Sequence, residues 1–104
     1  MRVREYELYV PLCRNDGQPT DPAKLANLKR QLVNEFGGLT HFPQENEGLW
    51  KVGHHTFRDR VVILRVLAND VDRAEQVFFR LKDELKRQWE QKDVLIVARD
   101  VTLL

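Results

Sequence analysis

Apolar residues recur at every second position near the amino terminus and at helical spacing further along. Between Glu5 and Leu12, this alternation predicts a strand with one buried face, and Pro11 marks its end because proline cannot donate to a ladder. Asp21 and the proline after it are typical of a helix N-cap and first helical position. A stripe of leucine and phenylalanine then predicts a helix over Asp21 to Phe36, ended by Gly37.

The middle of the chain predicts further extended segments. A short strand is expected at Leu39 to Phe42 and a second extended piece at Leu49 to Val52. Their pattern leaves open whether they form a hairpin or one interrupted strand. Val61 to Leu67 is almost continuously apolar and rich in β-branched residues, which is typical of an interior strand. Between these pieces, a polar loop with two solvated histidines is expected.

A second amphipathic helix is predicted to begin near Asp70 or Asp72 and to run to Gln91, with one apolar stripe and a charged remainder. Val94 to Ala98 predicts the last strand, and the tail Val101 to Leu104 is a candidate extension after a bend. The order β-α-β-β-α-β predicts a ferredoxin-like α+β sandwich, a four-stranded antiparallel sheet with two helices on one face. We expect residues 1–104 to form a single domain of this kind.

The sheet face that the helices leave uncovered is predicted to be an interface. In Val61 to Leu67 both faces carry large apolar groups, whereas a face in contact with water should alternate apolar with polar. Exposed apolar patches usually mark interfaces, so a homodimer or higher homo-oligomer is predicted. A merely apolar face or a small-molecule platform is the alternative. The candidate interface residues are Glu7, Tyr9, Val61, Ile63 and Arg65, with an ion pair between Glu7 and Arg65.

The composition of the chain limits which classes of partner and which cellular compartment are expected. Hydrophobic residues make up 42% of the chain and charged residues 32%, with a net charge of +1, as in an ordinary soluble protein. This balance lacks the electrostatic footprint of a nucleic-acid binder, and no apolar stretch approaches the roughly 20 residues that span a bilayer. We therefore expect a cytoplasmic protein without a membrane or nucleic-acid partner. Cys13 is the only cysteine, which excludes an intrachain disulfide and fits a reducing compartment.

The candidate chemistry is concentrated in residues 35–60, which contain all three histidines, one of the two tryptophans and four of the five glycines. A histidine oriented by a carboxylate is the form that a general base takes, and a tryptophan can stack on a ligand or belong to the core. The compact Cys and His spacing of zinc sites is absent, so we expect no metal and no cofactor. No catalytic residue is assigned. The candidate binding residues are Thr40, His41, Trp50, His54, His55 and Asp59.

The pair Gly37-Gly38 is interpreted as structural. A helix end commonly needs one glycine in a left-handed conformation, and the second relieves close packing. A phosphate-binding loop would precede a helix, whereas this pair follows one.

The run Phe36-Gly37-Gly38-Leu39-Thr40, a turn, Gly48-Leu49-Trp50, then a charged turn and a β-branched strand, resembles an arrangement in small uncharacterised bacterial α+β proteins of ferredoxin-like fold. The resemblance covers mainly residues 35–66 and implies the fold and a prokaryotic cytoplasmic setting, without catalytic residues. In element order alone, the chain also resembles the dimeric α+β barrel group. Members of that group include cofactor-free oxygenases, small-molecule binders and sensor domains, so the fold does not specify a function.

Three functions are compatible with the sequence. The function that needs the fewest specific residues is that of a homo-oligomeric small-molecule-binding or protein-interaction module. Its pocket would lie between the sheet and the segment Thr40 to Asp59. A small cofactor-free enzyme would use His54 or His55 as an acid-base group paired with Asp59. An RNA-binding platform is less favoured, because the chain lacks the Lys/Arg-Gly-aromatic run on which such domains stack bases.

Overall fold

Two helices cover one face of a four-stranded antiparallel sheet in the computed structural model, which describes residues 1–91 and 93–104. The elements are β1 (Arg2–Pro11), α1 (Pro22–Phe36), β2 (Thr40–Val52), β3 (His55–Ala68), α2 (Val71–Gln88) and β4 (Ile96–Thr102). The strands lie in the order β2-β3-β1-β4, with every neighbouring pair antiparallel. The predicted ferredoxin-like α+β sandwich is confirmed.

The core lies between the helices and alternate side chains of the two central strands. Leu8 and Leu64 pair across β1 and β3, and neither is exposed to solvent. Leu32 of α1 is equally buried above them. Tyr6 stacks on Phe78 of α2, with their ring centroids 4.0 Å apart. Each fully buried side chain of this size contributes about 1.5–3 kcal/mol of transfer free energy, so this layer holds the helices on the sheet.

Both helices begin at an aspartate that caps the first turn. The carboxylates of Asp21 and Asp70 accept hydrogen bonds of 2.9 and 3.1 Å from backbone N–H groups two and three residues later. Asp70, and not Asp72, is therefore the N-cap of α2. The helix ends at Gln88, before the predicted Gln91. Within the described residues, neither helix is long and apolar enough to cross a membrane.

Gly37 carries the strained position in the turn after α1. Its φ is +83°, and its N–H donates to the carbonyl of Val33 at 2.8 Å, whereas the φ of Gly38 lies outside the left-handed region. We expect Gly37→Ala to lower the free energy of unfolding by about 1 kcal/mol in urea titrations, since a β-carbon is unfavourable at this φ. Gly38→Ala is the matched control and should stay within about ±0.5 kcal/mol. Equal losses at both positions would contradict this assignment.

The last strand differs from its predicted bounds. β4 is one continuous strand that pairs with β1 from Arg2 opposite Thr102 to Leu8 opposite Ile96. No bend separates a tail from it. Val94, predicted to start the strand, lies just outside it and is 2% exposed, as part of the core.

β2 and β3 form a longer hairpin than the sequence pattern predicts. The two expected pieces of β2 belong to one interrupted strand, with a register shift between Phe42 and Asn46. β3 begins at His55, well before the predicted Val61. The expectation of a polar loop is therefore wrong for residues 55–60, which pair with β2, whereas His54 lies in the turn and both histidines are exposed as expected.

The far end of this hairpin extends past the rest of the sheet. Pro11, the last residue of β1, pairs with Val61, so that residues 48–59 pair only with one another. We call residues 48–59 the hairpin arm. On the other side of the arm, Leu49 is 59% exposed and the Arg58 side chain 74%, so no helix of the described residues covers it, and its two strands are held by their mutual ladder.

Candidate functional site

Charged side chains of both signs meet at the centre of the sheet face opposite the helices, which we call the open face. Arg65 of β3 lies opposite Glu7, and Arg99 of β4 lies opposite Glu5. Arg65 Nη2 donates to Glu7 Oε1 at 2.8 Å. Arg65 Nε is also 2.8 Å from Glu5 Oε1, in ionic contact although its N–H is not aligned for a hydrogen bond. Arg99 Nε lies 2.9 Å from Glu5 Oε2, which completes an ion-pair cluster of Glu5, Glu7, Arg65 and Arg99.

The two carboxylates of the ion-pair cluster lie in a buried position. The side chains of Glu5 and Glu7 are only 12% and 9% exposed. The hydrogen bond from Arg65 lowers the pKa of Glu7 below its ordinary value and outweighs the opposing effect of burial. Tyr9 donates a further hydrogen bond of 3.4 Å to Glu7. Two carboxylates and two guanidinium groups balance, so the centre of the open face is polar without net charge.

Apolar side chains surround the ion-pair cluster along β3 and β2. Val61 and Ile63 are half-buried within one chain, and Leu67 at the other end of the row is 40% exposed. The ring of Phe42 lies 4.9 Å from the guanidinium carbon of Arg65, in cation-π contact. The open face thus combines a neutral charged centre with an apolar row.

On the hairpin arm, aromatic side chains continue the apolar row of the open face. Trp50 and Phe57 pair across the two strands, with ring centroids 6.4 Å apart and planes inclined by 25°. They remain 47% and 39% exposed, so Trp50 is not a core residue. His55 meets the face of Phe57 edge-on at 4.4 Å. Three rings therefore share one side of the arm, continuous with the open face.

Asp59 lies on the same side of the arm as these rings. Burial raises the pKa of its half-buried carboxyl above the ordinary value. No residue in the described part of the chain forms a hydrogen bond or an ion pair with this carboxylate. Its charge is therefore poorly compensated within one chain.

A gap separates Asp59 from Trp50 because Gly48 is the residue opposite Asp59. A β-carbon placed on Gly48 would lie 3.9 Å from Asp59 Cβ and 3.9 Å from Trp50 Cζ3. Both distances are ordinary van der Waals contacts, so the glycine leaves room for an atom between the two side chains. We call this gap, bounded by Gly48, Trp50 and Asp59, the Gly48 recess.

The structure separates Thr40 from His41, two of the candidate binding residues. Thr40 pairs with Arg65 on the open face, whereas His41 pairs with Leu64 and points toward the helices. Its Nδ1 lies 3.4 Å from Lys29 Nζ, and its buried Nε2 has no hydrogen-bond partner among the described residues. Burial, together with Lys29, lowers the pKa of His41, so the ring is neutral at pH 7.

The two adjacent histidines do not form a pair with Asp59 within one chain. His54 lies in the turn at the tip of the arm, and His55 begins β3. Asp59 lies four positions after His55 along an extended strand, a span of about 13 Å. Trp50, His55 and Asp59 share one side of the arm, but no histidine is within hydrogen-bond reach of the carboxylate along the strand.

Sequence reasoning placed Glu5 on the open face but missed Gly48, Phe57 and Arg99 as parts of this surface. His55, Phe57 and Asp59 alternate with more polar residues at period two, which is the signal of a strand with a distinct face. Arg99 could be placed only once the register of β1 with β4 was known.

Other features of the surface are less suited to a ligand. A recess of about 480 Å³ on the outer side of α2 is lined by charged side chains alone: Arg80, Asp83, Glu84, Lys86 and Arg87. Within residues 1–91 and 93–104, no three His, Cys, Asp or Glu side chains are grouped closely enough to hold a metal ion.

No protein-family model and no curated protein matches this sequence. Among solved structures, the chain is similar to a phage SAM lyase in complex with S-methyl-5'-thioadenosine, with a TM-score of 0.68. The two chains are 10% identical, and the likeness covers 97% of this chain and 90% of that one. At this identity the comparison shows a shared fold over almost the full length of both chains.

Proposed function

We propose that this chain is a homo-oligomeric small-molecule-binding protein whose ligand lies on the open face beside the hairpin arm. The observation that carries the proposal is the chemistry of that face. Its charges are already paired with one another, its rim is apolar, and its outer end carries exposed aromatic rings beside an uncompensated carboxylate. Such a surface resembles an interface or a ligand platform more than a solvated face.

Association with a second copy is supported by the apolar row and by the arm. Val61 and Ile63 lie on a face that no other part of the described chain covers. Isolated two-stranded hairpins are marginally stable in water, yet on the side of the open face this arm exposes Trp50 and Val52 by 47% and 63%. A second copy that packs on the open face would cover this side of the arm, with the ligand between the two copies. The ion-pair cluster permits this, because it presents no net charge to the partner.

Small-molecule binding is supported by the flat aromatic surface next to Asp59. Ligand sites usually bury most of the ligand between apolar walls with a few polar groups. The arm of one chain supplies one wall of such a site and one carboxylate. The second copy would supply the opposite wall. Because the fold is shared with a SAM lyase that was solved with S-methyl-5'-thioadenosine, adenosyl compounds are the first ligands to test.

A catalytic role is a second candidate, and the raised pKa of Asp59 favours it. Acid-base groups in active sites often have a pKa shifted by burial. Within one chain His55 is too far along the strand to orient this carboxyl. An acid-base pair would therefore need a histidine from the second copy.

We expect S-adenosylmethionine or S-methyl-5'-thioadenosine to raise the thermal unfolding midpoint of the protein. A ligand at a hundred times its dissociation constant stabilises the folded state by about 2.7 kcal/mol, which is a shift of about 10–20 °C for a chain of this size. Adenosine and methionine, added separately, are the controls for the two halves of the ligand. Absence of a shift with millimolar amounts of both adenosyl compounds would reject them as ligands. If the protein were also monomeric, the proposed function would be wrong.

A further inference from the structure

We propose that the Gly48 recess binds the positive centre of a flat organic cation, with Asp59 as the counter-ion and Trp50 and Phe57 as the surface for its ring. This inference rests on the proposed function and specifies the ligand chemistry and the residues that recognise it. The ligand must carry one positively charged group and one planar group, and both must reach the Gly48 recess.

The first support is geometric. Asp59 and Trp50 flank the glycine from the neighbouring and the same strand, and each comes within 3.9 Å of the position that a β-carbon would take. The backbone of Gly48 forms the floor, and Phe57 extends the wall beyond Trp50. Gly48 lacks the β-carbon that would lie between Asp59 Cβ and the indole ring, so a methyl on a sulfonium or an ammonium centre can approach the glycine backbone at this point.

The second support is the charge of the recess. The other acidic residues at this end of the hairpin have partners, since Glu45 pairs with Arg60 and Glu47 Oε1 lies 3.7 Å from Arg58 Nε. Those arginines alternate with Asp59 along β3 and project from the opposite side of the hairpin. Asp59 is thus the acidic side chain that faces the rings without a cation beside it in the described part of the chain. A carboxylate in this position is stabilised when a ligand brings the missing charge.

The third support is the aromatic surface. A cation over the face of tryptophan is attracted by the ring quadrupole, and a planar ring of the ligand stacks on the same surface. Trp50 and Phe57 keep 47% and 39% of their area accessible, so both can receive such a ligand. The combination of an indole face and a carboxylate selects a cation over a neutral molecule of the same shape.

S-adenosylmethionine and S-adenosylhomocysteine are a suitable pair of probes, because they share the adenine ring and differ in the methyl group and charge of the sulfonium. By calorimetric titration, we expect the unmodified protein to bind the sulfonium at least tenfold more tightly than the thioether. Asp59→Asn should remove this preference by weakening the sulfonium at least tenfold and leaving the thioether unchanged. Gly48→Val, which fills the recess, should weaken both compounds.

Glu47→Gln is the matched control, since it removes the same charge from the other side of the hairpin and should change neither affinity. Asp59→Asn should unfold at an equal or higher temperature than the parent at pH 7. Its carboxyl has a raised pKa in the folded state, so its ionisation opposes folding at neutral pH and the amide removes that effect. Weakened binding without a loss of stability therefore separates recognition from a structural role.

The outcomes distinguish this inference from the proposed function. If an adenosyl compound binds but Asp59→Asn and Gly48→Val leave both affinities unchanged, the recess is not the site, although the protein is a binding protein. If Trp50→Ala alters only the oligomer mass, the rings are an interface and the inference is wrong. If neither probe binds, both the inference and its adenosyl ligand are rejected.

Discussion

Replacing Ile63 with lysine is expected to convert the assembled protein to a monomer. Ile63 lies at the centre of the apolar row, opposite Tyr9 on one side and Phe42 on the other. A second copy on the open face would bury the new ammonium group without a partner, at a cost of several kcal/mol. Sedimentation velocity at tens of micromolar should show the change, because interfaces with roughly micromolar affinity are populated at that concentration.

Phe79→Lys is the control for this substitution. Phe79 is also a large apolar residue and is 74% exposed, but it lies on α2, away from the open face. Its replacement should leave the oligomer mass unchanged. An unmodified protein that sediments as a monomer, or an Ile63→Lys variant with the parent mass, would show that the open face is not the interface.

Replacing Arg65 with methionine should destabilise the fold by about 1–3 kcal/mol at pH 7. Two buried carboxylates, Glu5 and Glu7, would keep only Arg99 as a cation. Breaking a fully buried pair costs about 3–5 kcal/mol, and the smaller range allows for the 38% exposure of the Arg65 side chain. Urea unfolding at several pH values measures this loss.

The loss should shrink as the pH falls. In the parent, the pKa of Glu7 is held below its ordinary 4.5, so its contribution to stability is present above that pH and is lost as the pH falls through the lower folded value. In Arg65→Met, burial without the arginine raises the pKa of Glu7. Protonation of Glu7 in acid then removes the buried, unpaired charge that destabilises the variant. The difference between the variant and the parent should therefore shrink as the pH falls toward 4.5 and vanish only below the lowered pKa of Glu7 in the parent.

The double variant Arg65→Met with Glu7→Gln tests the cause. Removing both partners leaves no unpaired charge at this position, so the double variant should recover part of the stability that the single variant loses at pH 7. If the single variant is as stable as the parent across the pH range, the ion-pair cluster is not a structural feature of the open face.

Much of the fold could be predicted from hydrophobic period and capping residues. The alternation in β1 placed Leu8 toward the helices and Glu7 on the open face, and Asp21 marked the start of α1, as the structure shows. Element ends were less accurate where tertiary packing decides them. Trp89, 1% exposed, fills the core just after α2 although the helical pattern there predicted a longer helix.

The hairpin arm shows why the candidate site was only partly predictable. His55 and Asp59 lie in a segment whose composition is that of a loop, because both sides of the arm lack a core and carry polar residues. Its strand character comes from pairing with β2, which a local pattern does not contain. His41 was placed with the wrong neighbours for the same reason, since its side of the sheet depends on the register with Leu64.

Native mass spectrometry with S-adenosylmethionine reports both the assembly of the protein and its ligand in one spectrum. If the chain is a homo-oligomeric binding protein, the spectrum should show a multiple of the 12.3 kDa chain that carries added ligand mass. The Ile63→Lys variant in the same buffer should show the single chain. A parent spectrum containing only the free 12.3 kDa chain, without ligand, would contradict the proposed function as a homo-oligomeric binding protein.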